Sequence, residues 1–213
     1  SSIKFEDSKL VAGKKQIPFN EFIMLAYLNR VELFSNGFYK TPKIHFDIAK
    51  QKGRPFFYYS YGACVSEVIV DCLTGEYKLL GVDILHDVGA SINPAIDTGQ
   101  IVGGYIQGMG WLCSEELKWS DSGVLLTTGA STYKIPAIGD TPEHFEVKIK
   151  PNISNHENTI HKSKAVGEPP LMLAISTWLS IKNAIYNADK ENITGLNAPA
   201  SFEQVFFSLN KTS

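Results

Sequence analysis

FFYYSYGACVSEVIVDCLTGEYKLLGVDILHDV, residues 56–88, reads as two strands folded about a glycine turn. Phe56 to Asp71 is rich in aromatic and β-branched residues, Leu73-Thr74-Gly75-Glu76 carries turn chemistry, and Tyr77 to Val88 turns apolar again. That order predicts a β-hairpin. Val65, Val68, Ile69 and Val70 lie close together, as in a strand covered on at least one face.

Downstream of the hairpin, Asn93-Pro94 marks a turn, and Asp97 or Thr98 could cap a helix from Gly99 to about Cys113. Gly104 and Gly108 are four residues apart and share one face of it. Each costs about 1 kcal/mol relative to alanine, so their smallness answers to a closely approaching backbone or ligand. Residues 114–140 read as short strands and turns, and His144 to Lys150 alternates like a strand. Residues 151–163 are polar. Pro169 to about Ala188 predicts a helix, apolar over most of its first half and so deeply buried. A last helix is expected from Phe202 to about Leu209, with Ser201 and Gln204 as its capping box.

Upstream the signals are weaker. Residues 1–15 are mostly polar with a turn at Ala12-Gly13-Lys14, Pro18 to Arg30 suggests a short helix, and residues 32–54 are mixed. No repeat, low-complexity linker or domain boundary stands out. Strands and helices intersperse without regular alternation, so the expected class is α+β, a mixed sheet with buried helices.

Composition excludes several functions. The 213 residues are 44% hydrophobic and 20% charged, which describes a globular chain rather than a disordered one. A net charge of −2 with scattered lysines gives no nucleic-acid footprint. No apolar run is long enough to cross a bilayer and no signal-peptide pattern opens the chain, so the expected location is the cytoplasm. Cys64, Cys72 and Cys113 form no CxxC pair and are expected to be reduced and buried. The Asn-x-Ser/Thr matches at Asn152, Asn192 and Asn210 are read as chance. The five histidines show no zinc spacing, so no protein-ligated metal is expected. P-loop and GxSxG patterns are absent, and Cys113 occupies the third glycine position of any dinucleotide fingerprint at Gly108.

KAVGEPPLM, residues 164–172, places one carboxylate, Glu168, between a glycine and two prolines, where it is expected to be fixed in direction and short of water. With Pro169 at the first helical position, Glu168 falls at the N-cap, facing unpaired N–H groups. Nearby positive charge would favour the carboxylate, and burial would favour the neutral acid. A general base needs that balance. The alternative is a plain helix cap.

Further stretches keep company with it. Gly129-Ala130-Ser131-Thr132-Tyr133-Lys134-Ile135-Pro136, the 164–171 stretch, Ser91-Ile92-Asn93-Pro94, Gln107-Gly108-Met109-Gly110-Trp111 and Asn197-Ala198-Pro199-Ala200 together resemble the xanthine dehydrogenase and aldehyde oxidase family. The resemblance runs from about Gly37 to about Phe207 and is strongest over 56–117 and 129–186. In detail it is most similar to the bacterial large-subunit form. It implies that residues 1–213 are the C-terminal portion of a molybdopterin-binding domain, a piece of something longer. It implies oxidation of purines such as hypoxanthine and xanthine, in purine catabolism, by molybdenum held on a pterin and not by protein side chains. Glu168 matches the family's base, which takes a proton from a molybdenum-borne hydroxyl before hydride passes to a sulfido ligand. Gln100 matches a glutamine near the molybdenum. Iron–sulfur clusters and FAD are implied on other domains or subunits, since this chain lacks cysteine-rich cluster patterns. The implied partners are a purine or aldehyde substrate, the rest of the molybdenum subunit and an iron–sulfur/flavin unit. An aldehyde oxidase-type enzyme, or a non-catalytic module, are the alternatives. Lys164 could support Glu168 but is expected to be solvated, Gly103, Gly104 and Gly108 are expected to serve backbone packing ahead of close approach to the cofactor, and Tyr133 and Trp111 to lie in the core.

Overall fold

Residues 3–188 and 195–210 are described by the computed structural model, and they fall into two units, Ser1–Gly53 and Arg54–Ser213. The Asn192 sequon lies outside the described residues.

The first unit opens with strands β1 (Ile3–Glu6), β2 (Lys9–Ala12) and β3 (Lys15–Pro18), an antiparallel meander in that order. No strand was expected here. The residues of β1 are all exposed, so no apolar alternation betrays the pairing. The predicted turn is present, with Gly13 at φ +62. Helix α1 (Phe19–Leu28) follows as expected, and β4 (His45–Asp47) pairs with β5 (Lys52–Arg54).

The second unit contains, in chain order, β6 (Gly62–Val70), β7 (Tyr77–His86), α2 (Pro94–Cys113), β8 (His144–Ile149), a 3-10 turn over Pro169–Ala174, α3 (Ile175–Ala188) and α4 (Phe202–Leu209). The predicted hairpin is β6–β7, antiparallel from Gly62↔His86 to Val70↔Tyr77 with a bulge at Glu67/Val68. Its turn is held by the Asp71 carboxylate, which accepts from the Leu73 and Thr74 amides at 2.7 and 3.2 Å. Gly75 takes φ +77 there. β8 adds parallel to β7, so the sheet is mixed and the chain is α+β.

One face of the sheet is packed and the other is open, since Val65 and Ile69 are 69% and 58% exposed. On the packed face, Val82 and Ile84 of β7 meet Ile101, Tyr105 and Met109 of α2, Ile181 and Ile185 of α3, and Val205 of α4. The Tyr105 hydroxyl is buried but satisfied by Thr177 and by Ser66 at 3.1 Å.

Two boundaries differ from expectation. α2 starts at Pro94, not Gly99, because Asn93 is its N-cap and accepts from the Ala95 and Ile96 amides at 3.2 and 3.3 Å. The Asn-Pro pair that reads as a turn is a cap followed by proline at the first helical position. The Pro169–Ala188 segment begins as a 3-10 turn, with the Leu171 amide bonded to the Glu168 carbonyl at 3.0 Å, and becomes α-helical at Ile175. It is buried along one side only: Met172 and Leu179 are more than half exposed. Trp111 is likewise 51% exposed rather than in the core, Tyr133 is half-buried, and Cys72 is exposed. Ser201 does cap α4, accepting from the Gln204 amide.

Candidate functional site

Gln100, Gly104 and Gly108 succeed one another at four-residue intervals and form one stripe along α2. A Cβ on Gly104 would sit 3.1 Å from the Gly167 carbonyl oxygen and 3.2 Å from Pro170 Cβ. A Cβ on Gly108 would collide with the Leu171 carbonyl oxygen and lie 2.9 Å from Ala174 Cβ. The main chain of residues 167–174 therefore rests directly on the backbone of α2. Close backbone approach is the reason for these two glycines. Gly103 has no neighbour within 4 Å of its Cβ position and plays no part in this packing.

At the head of the stripe, Gln100 Oε1 lies 3.2 Å from the Cβ position of Gly167. Glu168 is the next residue. The two residues singled out by sequence, 68 positions apart, are thus brought to the same end of the stripe, with Gln100 against the residue that precedes Glu168. Both are exposed. Among the described residues neither side chain has a hydrogen-bond or ion-pair partner.

Glu168 departs from expectation in two ways. It was expected to be short of water, yet it is exposed. It stands at the N-cap in an αR conformation (φ −93, ψ −35), and its side chain makes no capping bond. The Gly167–Leu171 turn is held by main-chain bonding and by its seat on α2, which leaves the carboxylate unengaged.

Lys164, expected in solvent, is buried: its ammonium lies 2.6 Å from Asp87 Oδ2, with the two side chains 6% and 7% exposed. Asp87 also accepts from the Gly89 amide at 2.8 Å. Burial alone would raise the Asp87 carboxyl, but the Lys164 and Gly89 hydrogen bonds outweigh it and hold the group below its ordinary value. His86, beside it, is 1% exposed, and its Nδ1 has no partner. Burial pushes this imidazole below its ordinary value, against the raising effect of Asp87. Sequence reading gave neither residue a role of its own, Asp87 entering only within the Asp87-Val88-Gly89 stretch of the resemblance.

The Gly129–Pro136 stretch docks at the far end of α2. Pro136 Cδ falls 2.6 Å from the Cβ position of Gly110, and the Tyr133 hydroxyl donates to Glu115. The Ala200 amide donates to the Leu112 carbonyl at 2.7 Å, satisfying one of the open acceptors at the helix end.

Asp83, His144 and Glu146 also gather, with ligand atoms within 4.8 Å of one another, on the open face of the sheet. All three are exposed. His144 is hydrogen-bonded to Asp83 at 3.1 Å and Glu146 is paired with Lys148 at 2.9 Å, so these side chains already have partners. An apolar cavity of about 330 Å³ lined by α3 residues and Leu196 shares no residue with the stripe.

A family model described as a molybdopterin cofactor-binding domain matches residues 1–142. The chain is 46% identical over 207 residues to the xanthine dehydrogenase/oxidase of Felis catus, covering 92% of this chain and 16% of that protein. It is 45% identical over 198 residues to the xanthine dehydrogenase of Oryza sativa subsp. japonica, covering 88% and 14%. Its fold is similar to quinoline 2-oxidoreductase from Pseudomonas putida 86, with a TM-score of 0.66 at 22% identity over 99% of this chain and 26% of that one. The chain therefore spans about a sixth of the length of these curated relatives.

Proposed function

The chain belongs to the xanthine dehydrogenase and aldehyde oxidase family of molybdopterin-binding proteins, and from that premise we propose that residues 1–213 form the C-terminal portion of a purine-oxidising molybdenum hydroxylase, with Glu168 as its general base and Gln100 as a cofactor contact. The observation that carries the reading is that two exposed polar side chains, unpartnered among the described residues, stand at the same end of a stripe built from closely packed backbone.

The residues present suit the implied group. The Gln100 carboxamide keeps its acceptor oxygen and two donor hydrogens free, which suits a pterin edge or an oxo ligand. Gly167 beside it has no side chain to block a flat ring. When bound, the cofactor supplies a redox-active molybdenum that takes electrons from the substrate.

This chain's own work is narrower. Glu168 accepts a proton at a carboxylate oxygen that nothing else in the chain occupies. Gln100 orients the cofactor beside it. The backbone seat on α2 fixes the turn from which Glu168 projects, and the remainder of the enzyme covers the site and excludes water. A pure capping role is disfavoured because the carboxylate bonds to no backbone amide. Purines are preferred to aldehydes as substrates because the relatives above are named xanthine dehydrogenases. Iron–sulfur clusters and FAD belong to other domains or subunits, and the reduced thiols suit a cytoplasmic enzyme. Among the described residues no helix is long and apolar enough to cross a membrane.

The test is Glu168→Gln in the complete molybdenum enzyme. Loss of a positioned base costs about 10²–10⁴ in kcat. Turnover of xanthine should fall by that much while molybdenum per protein stays constant. A variant that keeps most of its rate refutes the base assignment. Comparing kcat/KM for xanthine and for an aromatic aldehyde decides the substrate class.

A further inference from the structure

Lys164 and Asp87 lie 77 positions apart in sequence and outside the Gln100–Glu168 pair, yet theirs is a closely buried ion pair. The single Asp87 carboxylate does two things at once. Oδ2 accepts from the Lys164 ammonium at 2.6 Å, and Oδ1 accepts from the Gly89 amide at 2.8 Å. The main chain follows the same line. The Lys164 amide donates to the Val88 carbonyl at 2.8 Å, the Ala90 amide donates to the Lys162 carbonyl at 3.0 Å, and Gly89 bridges Ser163 in antiparallel fashion. Gly89 needs its positive φ and its lack of Cβ, for a Cβ there would stand 2.5 Å from the Lys162 carbonyl oxygen. The ammonium also sits 5.1 Å from the centre of the Tyr61 ring. One residue further on, the Ala165 amide donates to the Tyr58 hydroxyl at 2.8 Å, and its carbonyl accepts from the Ser60 hydroxyl at 3.0 Å. Three residues beyond that stands Glu168.

We propose that Lys164 and Asp87 are positioning residues: their buried ion pair sets the register of residues 162–165 on the 87–90 turn, and through it the direction in which Glu168 leaves the turn on α2. Lys164 acts through the main chain, because its ammonium is committed to Asp87 and the Tyr61 ring. The effect on turnover rests on the reading of Glu168 as the base. The register itself rests on the contacts alone.

The test uses the complete molybdenum enzyme with Lys164→Met, Asp87→Asn and Lys164→Arg, read by amide hydrogen exchange and by kinetics. In the first two, the amides of Lys164, Ala165 and Gly167 should exchange at least ten-fold faster while those of β6 and β7 keep their rates. kcat should fall at least ten-fold, with KM and molybdenum content within two-fold of the parent. Lys164→Arg should recover most of the protection. A double variant, Asp87→Leu with Lys164→Met, removes both charges together and leaves only the Gly89 amide without its acceptor. If it folds with full protection at 162–168, shape alone holds the loop and the inference fails. Uniformly faster exchange across the chain in every variant, or local loosening with full turnover, also overturns it. Full turnover in Glu168→Gln sinks the functional reading by itself, and the exchange data then still decide whether the pair sets the register.

Discussion

His86 and Asp87 are consecutive buried residues with opposite fates on acidification. Burial keeps the His86 imidazole below its ordinary value of 6.5, and the Lys164 and Gly89 bonds override burial to keep Asp87 below its ordinary 3.8. In both cases the unfolded chain binds a proton more readily than the folded one, so stability rises with pH through each window. The contribution of His86 is complete above about pH 6.5 and is lost as pH falls from there towards its lowered folded value. That of Asp87 is complete above the unfolded carboxyl range and disappears as pH drops through its own lowered value. Each unit of difference is worth about 1.4 kcal/mol. Thermal melting measured between pH 8 and pH 5 should therefore show a falling Tm in the parent. His86→Leu should flatten that fall, because the other four histidines are exposed. An unchanged slope in the variant would exclude His86 as the source. Neither residue could be chosen from sequence: what marks them is a partner 77 positions away for one and a missing partner for the other.

At the scale of elements, the contact between α2 and the 167–174 segment admits no side chain at Gly108 and little at Gly104, whereas Gly103 faces open space. Gly108→Ala must push back the Leu171 carbonyl, a backbone atom that cannot rotate away, and overpacking of this kind costs about 1–3 kcal/mol. Gly103→Ala meets nothing and should gain up to about 1 kcal/mol from helix propensity. Denaturant midpoints of the two variants should thus move in opposite directions, and a loss at both positions would contradict the stripe. The i, i+4 spacing made Gly104 and Gly108 legible beforehand, because a repeated glycine on one helical face has few other uses. Gly103 looked the same in sequence, and only the neighbouring chain separates it from them. The hairpin was legible because its turn chemistry at 71–76 and its β-branched run agree. Strands β1–β3 were not, because β1 is exposed throughout and no residue of the three is fully buried, so pairing leaves no clear apolar period. The 3-10 start of the last long helical segment was also hidden, since Pro169-Pro170 signals a helix start without saying which helix.

The whole chain exposes 15266 Å². A folded monomer of this mass would expose about 9,800 Å², and even two separate globules the size of its units would expose about 11,400 Å². Large apolar side chains account for part of the excess, among them Phe38 at 92%, Leu73 at 85% and Ile138 at 95%. The chain is similar to about a sixth of its curated relatives' length, and Gln100 and Glu168 lie open in the same way. Motif resemblance singled out those two residues but not their exposure, because what covers a side chain is set by residues far from the motif. Unpaired apolar surface of this kind drives association in water. Purified by itself, the chain should bind a hydrophobic dye such as ANS strongly, associate with rising concentration in sedimentation, carry no molybdenum and show no turnover of xanthine. Assembled with the remainder of the molybdenum protein, it should lose the dye signal and gain the metal together if, as the proposed function requires, one and the same contact covers the apolar surface and closes the site. Strong dye binding that persists in a molybdenum-loaded, active assembly would show that the exposed surface answers to something other than the rest of the enzyme.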